Sequence, residues 1–280
     1  MMKIVHGQGV SIASESFGRR TDPAMLLIMG ATASMLGWPD DFRAQLANRG
    51  FYVIRFDHRD TGQSTTVPPG EAGYAVEDLA DDALRVLDGY GFQQAHIVGM
   101  SLGGLLAHML AVAHPQRVIS LTLIASEPLG WDKAALPHIS QEFPDHFAAL
   151  GLLDWSDRRA VADSLVESEM LCAATGAPFD ENRERDRIAR VLSITDSPAS
   201  MFNHGTLTMR NDWSGRFRDI RQPVLVIHGT VDPILPIENG QAIADGIRGA
   251  SLEVLPGVGH ALPPDRFAEL ADRIKAHVIG

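Results

Sequence analysis

Short apolar runs alternate with amphipathic stretches along most of the chain. The runs cover residues 24–29, 51–56, 95–100, 118–124, 223–229 and 251–255. Such continuous runs are typical of strands that are buried on both faces of a parallel sheet. Between the runs, apolar residues recur at helical spacing, as at Leu79, Ala83 and Leu87. The pattern predicts an α/β domain, whose mostly parallel sheet is covered by helices on both faces. Near the start, residues 11–18 predict an antiparallel edge strand.

One region interrupts this alternation. Residues 128–212 contain no convincing strand pattern, but they contain helix-like segments at 145–153, 156–171 and 180–193. We therefore expect a helical insertion over residues 128–212, and a core formed by residues 1–127 and 213–280. The dense charges at 180–190 predict a helix face that is exposed to solvent.

Composition and charge narrow the class of protein. The 280 residues are 45% hydrophobic and 21% charged, which is ordinary for a globular domain. The net charge of −11 repels phosphate backbones and argues against a nucleic-acid partner. The lone cysteine, Cys172, cannot form an intrachain disulfide.

Signals for export or membrane insertion are lacking in the sequence. The opening segment MMKIVHGQG has no apolar stretch of the kind that signal peptides carry. The long uncharged stretches 24–39 and 97–113 are interrupted by glycines and polar residues, whereas a spanning helix needs about 20 mostly apolar residues. We expect a cytoplasmic protein without membrane contact, and the sequence does not indicate its oligomeric state.

A G-x-S-x-G pattern, Gly99-Met100-Ser101-Leu102-Gly103, lies between a predicted strand and a predicted helix. In that setting the serine occupies a sharp turn with its hydroxyl exposed, as a nucleophile requires. Side chains at the two flanking glycines would collide with the neighbouring helix or strand. Ser101 is therefore the candidate nucleophile, the alternative being an ordinary turn serine. Leu102 begins the predicted helix, and its N–H is a candidate oxyanion donor.

A serine nucleophile needs a histidine base and a carboxylate that orients it, in the chain order serine, acid, histidine. His260 lies in a glycine-rich loop after the last predicted strand, and it is the candidate base. Asp232 follows the strand at 223–229 and is the candidate acid, although an aspartate before Pro233 would also suit a helix N-cap. Glu127 follows the strand at 118–124 in the same way and is the alternative acid.

The second oxyanion donor is expected in the loop after the strand at 24–29. The Ala31 N–H is the candidate, because Gly30 allows the backbone to turn inward. No H-E-x-x-H or C-x-x-C pattern is present, so the sequence does not support a metal site, and we expect no cofactor.

These motifs resemble those of the α/β-hydrolase superfamily along the whole core. The segments MGATASMLGWPDDF, VIRFDHRDTGQSTT and PGVGHALP are most similar to the aclacinomycin methylesterase group of serine esterases. Two positions depart from the common pattern. Met29 stands before Gly30 where many members have histidine, and Asp60 replaces the first glycine of a D-x-R-G-x-G-x-S signature. The resemblance implies an α/β-hydrolase fold, ester hydrolysis without a cofactor, and an insertion that acts as a cap over the substrate pocket.

We therefore expect a serine carboxylic-ester hydrolase that forms an acyl-enzyme on a small to medium apolar ester. The resemblance suggests a methyl ester of a polycyclic compound. The same triad also serves cofactor-free perhydrolases of the haloperoxidase type, lactonases and carbon–carbon bond hydrolases, which remain alternatives. A ligand receptor that keeps the hydrolase fold for binding is a further alternative.

Overall fold

The computed structural model describes residues 2–139, 142–173 and 179–279. An eight-stranded sheet with the order β1-β2-β4-β3-β5-β6-β7-β8 forms the centre of the molecule. Its strands are β1 (Met2–Gly7), β2 (Val10–Phe17), β3 (Ala24–Ile28), β4 (Tyr52–Phe56), β5 (Ala95–Met100), β6 (Val118–Ile124), β7 (Val224–Gly229) and β8 (Ser251–Leu255). All neighbours from β4 to β8 run parallel. The predicted α/β architecture is confirmed.

The six predicted core strands match β3 to β8 to within one residue at each end. Every residue of β3, β4, β5 and β7 is buried. A strand that is covered on both faces carries few polar residues, and this is why the apolar runs located these strands so closely.

The edge of the sheet differs from the prediction. The stretch at 11–18 does form an antiparallel strand, β2, but β2 lies between β1 and β4 and is not an edge strand. β1 covers it and forms the edge. Only Val5 of β1 is buried, so β1 lacks the apolar alternation that would have predicted it.

Helices cover both faces of the sheet. They are α1 (Asp40–Asn48), α2 (Val76–Gly89), α3 (Leu102–Ala113), α7 (Glu238–Gly246) and α8 (Phe267–Ile279). Along β3 the side chains alternate, so that Leu26 joins the apolar core beneath α2, α3 and α7. Leu27 joins the core beneath α1 and α8. Packed helices therefore cover both faces of β5 and β7, whereas Val254 of β8, at the edge of the sheet, is 39% exposed.

Between β6 and β7, the described residues form helices and turns but no strand. The helices are α4 (Glu142–Leu150), α5 (Arg158–Cys172) and α6 (Glu181–Ile194), followed by a 3-10 segment, Pro198–Thr206. We call residues 128–212 the insertion; of these, 140–141 and 174–178 lie outside the described part. Val161 and Val166 of α5 pack against Ile188 and Leu192 of α6 in a small apolar core.

The charged run on α6 is exposed only in part. Arg185 is 43% exposed, as a solvated face predicts. Arg187, in contrast, is mostly buried. Its Nη2 lies 2.5 Å from Oε1 of Glu169, and its Nε lies 2.7 Å from Oε2 of Glu184. The predicted solvated face was therefore wrong for Arg187, because an ion-pair network joins α6 to α5. None of the helices in the described ranges is long and apolar enough to cross a membrane.

Candidate active site

Ser101 occupies the turn between β5 and α3. Its backbone has φ 53° and ψ −121°, and a non-glycine residue held in such a sparsely populated region costs about 1–3 kcal/mol. The Ser101 N–H donates to the carbonyl of Ile124 at 2.9 Å, and Ser126 Oγ donates to the Ser101 carbonyl at 3.0 Å. Bonds to β6 and the residues after it thus stabilise the turn, while the Ser101 side chain is partly exposed.

The two glycines of the motif allow this turn to form. A Cβ on Gly99 would lie 2.3 Å from the carbonyl oxygen of Gly103. A Cβ on Gly103 would lie 2.1 Å from the carbonyl oxygen of Ile28. Both distances are far shorter than van der Waals contact, so the expected collision is confirmed. α3 consequently starts directly against the ends of β3 and β5.

His260 and Asp232 lie beyond the carboxyl ends of the neighbouring strands β8 and β7. Nδ1 of His260 is 2.8 Å from Oδ2 of Asp232. Because the carboxylate accepts, Nδ1 carries the proton and Nε2 keeps the lone pair that a general base uses. The structure thus brings the predicted acid and the predicted base together.

The Asp232 carboxylate is fully buried and remains ionised. Burial alone would raise the pKa of Asp232, but hydrogen bonds from His228, His260 and the Leu235 N–H hold it well below its usual range. Oδ1 accepts from the N–H groups of Ile234 and Leu235, at 2.9 Å each. The carboxylate therefore caps the turn after β7 with one oxygen and orients His260 with the other. α7 begins later, at Glu238, so Asp232 is not its N-cap.

His228 is a second histidine beside Asp232. It lies in β7, and its side chain is fully buried. Its Nε2 is 2.6 Å from the Leu235 carbonyl and 3.5 Å from Asp232 Oδ2. Its position at the end of the strand predicted at 223–229 indicates an interior or strand-end role. Its spacing of four residues before Asp232 was the available signal for a contact between them.

Glu127, the alternative acid, contacts a different histidine. Its Oε2 lies 3.8 Å from Nε2 of His138, and the two side chains are 42% and 55% exposed. Among the described residues, no hydrogen bond or ion pair joins Glu127 to His260. The geometry therefore favours Asp232 as the acid.

The loop after β3 passes directly beside the nucleophile. A Cβ on Gly30 would be 3.3 Å from Cβ of Ser101, and Ala31 is exposed. Leu102 begins α3, so its N–H has no partner within the helix. In the part of the chain that the structure describes, neither the Ala31 nor the Leu102 N–H donates a hydrogen bond. Both predicted oxyanion donors are thus available to an incoming oxygen.

Two histidines outside the predicted triad form hydrogen bonds with this loop. His58 Nε2 donates to the Met29 carbonyl at 2.9 Å. The N–H of Thr32 donates to Nδ1 of His204 at 3.0 Å. His58 precedes Ser101 in the chain and His204 belongs to the insertion, so neither is a candidate for the base of the triad. No local pattern indicated that they contact the loop.

His260 is also linked to the insertion. Its backbone N–H donates to the carbonyl of Cys172, the last residue of α5, at 2.8 Å. Over the described ranges, no hydrogen bond joins the His260 ring to Ser101. Such catalytic bonds are often long until substrate binds. Nor do three or more His, Cys, Asp or Glu side chains of these ranges converge to hold a metal ion.

The departure at Asp60 from the resembled signature has a structural reason. Asp60 has φ 66°, a conformation that favours glycine but that aspartate tolerates. Its buried carboxylate accepts from the Val67 N–H at 2.7 Å, Tyr74 Oη at 2.6 Å and Asn203 Nδ2 at 2.9 Å. The aspartate therefore ties the loop after β4 to the insertion, which a glycine could not do.

A cavity of about 650 Å³ lies between the insertion and the core. Its apolar lining includes Met29, Met100 and Leu262, and charged residues of α1 and α6 also line it. Met100 directly precedes Ser101, and Leu262 lies two residues after His260. The cavity is thus next to the candidate site and large enough for a medium-sized organic molecule.

Comparison with known proteins identifies relatives that are similar over nearly the full length of the chain. The chain is 33% identical to the rhodomycin D methylesterase of Streptomyces peucetius, over 98% of this chain and 97% of that protein. It is 34% identical to the rhodomycin D methylesterase of Streptomyces sp. strain C5, over 96% and 95%. An esterase structure from Exiguobacterium antarcticum superposes with a TM-score of 0.81 at 19% identity, over the full length of both chains.

The family comparison covers most of the chain. Residues 23–267 match the model of the alpha/beta hydrolase fold. That range includes the turn at Ser101, the Asp232–His260 pair and the whole insertion. The strand order, the positive-φ serine between β5 and α3, and the match to the family model agree, and the chain belongs to the α/β-hydrolase family of enzymes.

Proposed function

We propose that this protein is a serine carboxylic-ester hydrolase with Ser101 as nucleophile, His260 as general base and Asp232 as the orienting acid. The observation that carries the proposal is the 2.8 Å hydrogen bond between His260 and a buried, ionised Asp232. It fixes the imidazole with Nε2 unprotonated, at the same edge of the sheet as Ser101. The two rhodomycin D methylesterases, similar over nearly the full chain, support an ester as the substrate.

The reaction proceeds in two halves. Ser101 Oγ attacks the ester carbonyl while His260 Nε2 takes its proton, and the Ala31 and Leu102 N–H groups bind the oxyanion. The intermediate collapses, the alcohol leaves with the proton from His260, and an acyl-enzyme remains. Water, deprotonated by His260, then releases the acid and restores Ser101.

The insertion acts as a cap in this proposal, with residues 1–127 and 213–280 as the catalytic core. The cavity between them has an apolar lining that includes Met29, Met100 and Leu262. That lining supports a small to medium apolar ester as the substrate. The names of the two methylesterases add a preference for a methyl ester, and the resemblance of the sequence motifs adds a polycyclic acid as a candidate.

The test is a panel of esters with acyl groups of increasing size, including methyl esters of polycyclic acids. Ser101→Ala should reduce hydrolysis to the uncatalysed background. Ser120→Ala, which removes a buried serine from β6, should retain activity within about twofold of wild type, since buried hydroxyls away from a site affect mainly stability. Activity that survives in Ser101→Ala, or a single turnover in place of repeated turnovers, contradicts the proposal.

A further inference from the structure

The peptide units on both sides of the Ala31 N–H are fixed by histidines. His58 Nε2 bonds the Met29 carbonyl at 2.9 Å, on one side. His204 Nδ1 accepts from the Thr32 N–H at 3.0 Å, on the other. Only the peptide unit between Gly30 and Ala31, whose N–H is the candidate oxyanion donor, lies between these two fixed points. The direction of that N–H therefore depends on both histidines.

The Thr32 end of this loop needs support. Thr32 has φ 63°, which is an unfavourable conformation for a β-branched residue. Its hydroxyl donates to the Ala31 carbonyl at 2.6 Å, so its side chain supports only the local turn. Among the hydrogen bonds of the described residues, the bond from the Thr32 N–H to His204 connects this strained residue to another part of the fold.

His204 is itself held in one tautomer. Its Nε2 lies 2.8 Å from the Arg59 carbonyl, which can only accept, so Nε2 carries the proton and Nδ1 is the acceptor for Thr32. The ring is buried and stands perpendicular to that of His58, with 5.7 Å between centroids. Burial lowers the pKa of His204, which keeps Nδ1 unprotonated and able to accept.

We propose that His204 is a positioning residue through which the insertion holds the oxyanion loop in its catalytic conformation. This inference rests on the proposed function. It assigns the insertion a part in the chemical step: His204 lies in the 3-10 segment Pro198–Thr206, 172 residues from the amide that it binds. The insertion is then more than a cover for the substrate.

The test compares three histidine variants. His204→Phe keeps the ring and removes both hydrogen bonds, whereas His204→Gln offers an acceptor and a donor in one side chain. His146→Phe is the matched control, because His146 is another buried histidine of the insertion but bonds Ser168 at 2.6 Å. Should His204→Phe not fold, His204→Asn takes its place, since its shorter amide cannot reach both partners.

For His204→Phe we expect kcat to fall by about tenfold or more, approaching the 10²–10³ that loss of an oxyanion donor costs. KM should change by less than about threefold, because the donor binds the transition state more tightly than the substrate. His204→Gln should recover most of kcat, and His146→Phe should match wild type. Equal losses in His204→Phe and His146→Phe, or a loss confined to KM, overturn the proposal.

A fluorophosphonate separates this inference from the proposed function. Ser101 Oγ bonds to phosphorus, fluoride leaves, the hydroxyl proton passes to His260, and the phosphoryl oxygen takes the oxyanion position. The rate of labelling therefore reports the oxyanion loop even if no ester in the panel is hydrolysed. Slow labelling in His204→Phe alone supports the role of His204, and an unchanged rate refutes it. Absence of ester hydrolysis in wild type would refute only the esterase proposal.

Discussion

At the scale of single residues, Asp232 and Glu127 show how burial distinguishes two carboxylates with similar positions in the sequence. Both follow a core strand and both lie near a histidine. Asp232 is fully buried, and each of its oxygens accepts at 2.9 Å or less. Glu127 is 42% exposed, and 3.8 Å separates it from His138. Only Asp232 can hold an imidazole in one orientation.

Asp232→Asn should therefore abolish most activity without unfolding the chain. An amide at this position cannot stabilise the protonated His260, and its NH₂ group would favour the wrong tautomer. We expect kcat/KM to fall by about 10⁴, the loss seen when the acid of a serine triad becomes an amide. Glu127→Gln is the matched control, with activity expected within about threefold. Steady-state kinetics on one activated ester, with circular dichroism to verify folding, measures both. A greater loss in Glu127→Gln would reverse the assignment.

Residues near strand ends could be proposed from the sequence, whereas their supporting partners could not. Ser101, Asp232 and His260 each follow a recognisable apolar run, and parallel strands bring their carboxyl ends to one edge. His204 has no such signal. Its contact with Thr32 joins positions 172 residues apart and depends on how the insertion folds back onto the core. Sequence periodicity reports which face is buried, not which distant loop a buried polar group meets.

At the scale of elements, α3 combines a candidate oxyanion donor at its N-terminus with a buried histidine in its middle. All residues from Gly103 to Ala111 are buried, including His108. The His108 ring packs edge-on against Phe217, with 6.4 Å between centroids. Burial lowers the pKa of His108 to about 3. Protonation of His108 therefore destabilises the folded state that contains α3, the helix that presents the Leu102 N–H.

The lowered pKa of His108 determines whether the free energy of unfolding rises or falls with pH. In the unfolded chain a histidine has a pKa of about 6.5, while the native value for His108 is about 3. Between these values the unfolded state binds more protons, so the free energy of unfolding decreases as the pH falls below about 6.5. His108→Leu, of similar volume, should lessen this decrease by about 1.4 kcal/mol for each pH unit below 6.5.

Urea unfolding at pH 7.5, 6.0, 5.5 and 5.0 measures that slope. At pH 7.5 the histidine is mostly neutral in both the folded and the unfolded chain, so the difference in the free energy of unfolding between wild type and His108→Leu at this pH serves as the reference. Curves that stay parallel down to pH 5 would show that His108 does not contribute to acid destabilisation.

At the scale of the whole molecule, ion pairs between α6 and α1 join the insertion to the core beside the cavity, and two of them lie in the described part of the chain. Arg183 of α6 lies 3.2 Å from Asp41 of α1, and Arg190 lies 3.4 Å from Asp40. The side chains of these pairs are 35–69% exposed. Exposed pairs contribute little to overall stability and are screened by salt. They can still affect how often α6 separates from α1 and unfolds locally, because they join these two helices.

The double variant Asp41→Asn/Arg190→Gln should therefore loosen the insertion without destabilising the core. Asp41 is the better choice on α1, because Asp40 also pairs with Arg55 and Arg43. Loss of two exposed ion pairs, each worth about 0.5 kcal/mol, should raise the equilibrium constant for opening of α6 about fivefold. Hydrogen exchange of the α6 amides should accelerate by that factor, while the sheet amides should exchange as in wild type. Arg185→Gln, which breaks pairs inside the insertion alone, is the control.

The dependence on salt provides an independent check that the two ion pairs limit the opening of α6. Raising the ionic strength from 0.01 to 1 M shortens the screening length from about 30 to about 3 Å. In wild type this change should accelerate exchange in α6 towards that of the double variant, and in the double variant it should have little further effect. If the insertion opens to release bulky products, turnover of large esters should rise with salt in wild type only, while short esters show no change. Equal salt dependence in both proteins would mean that these ion pairs do not control the opening.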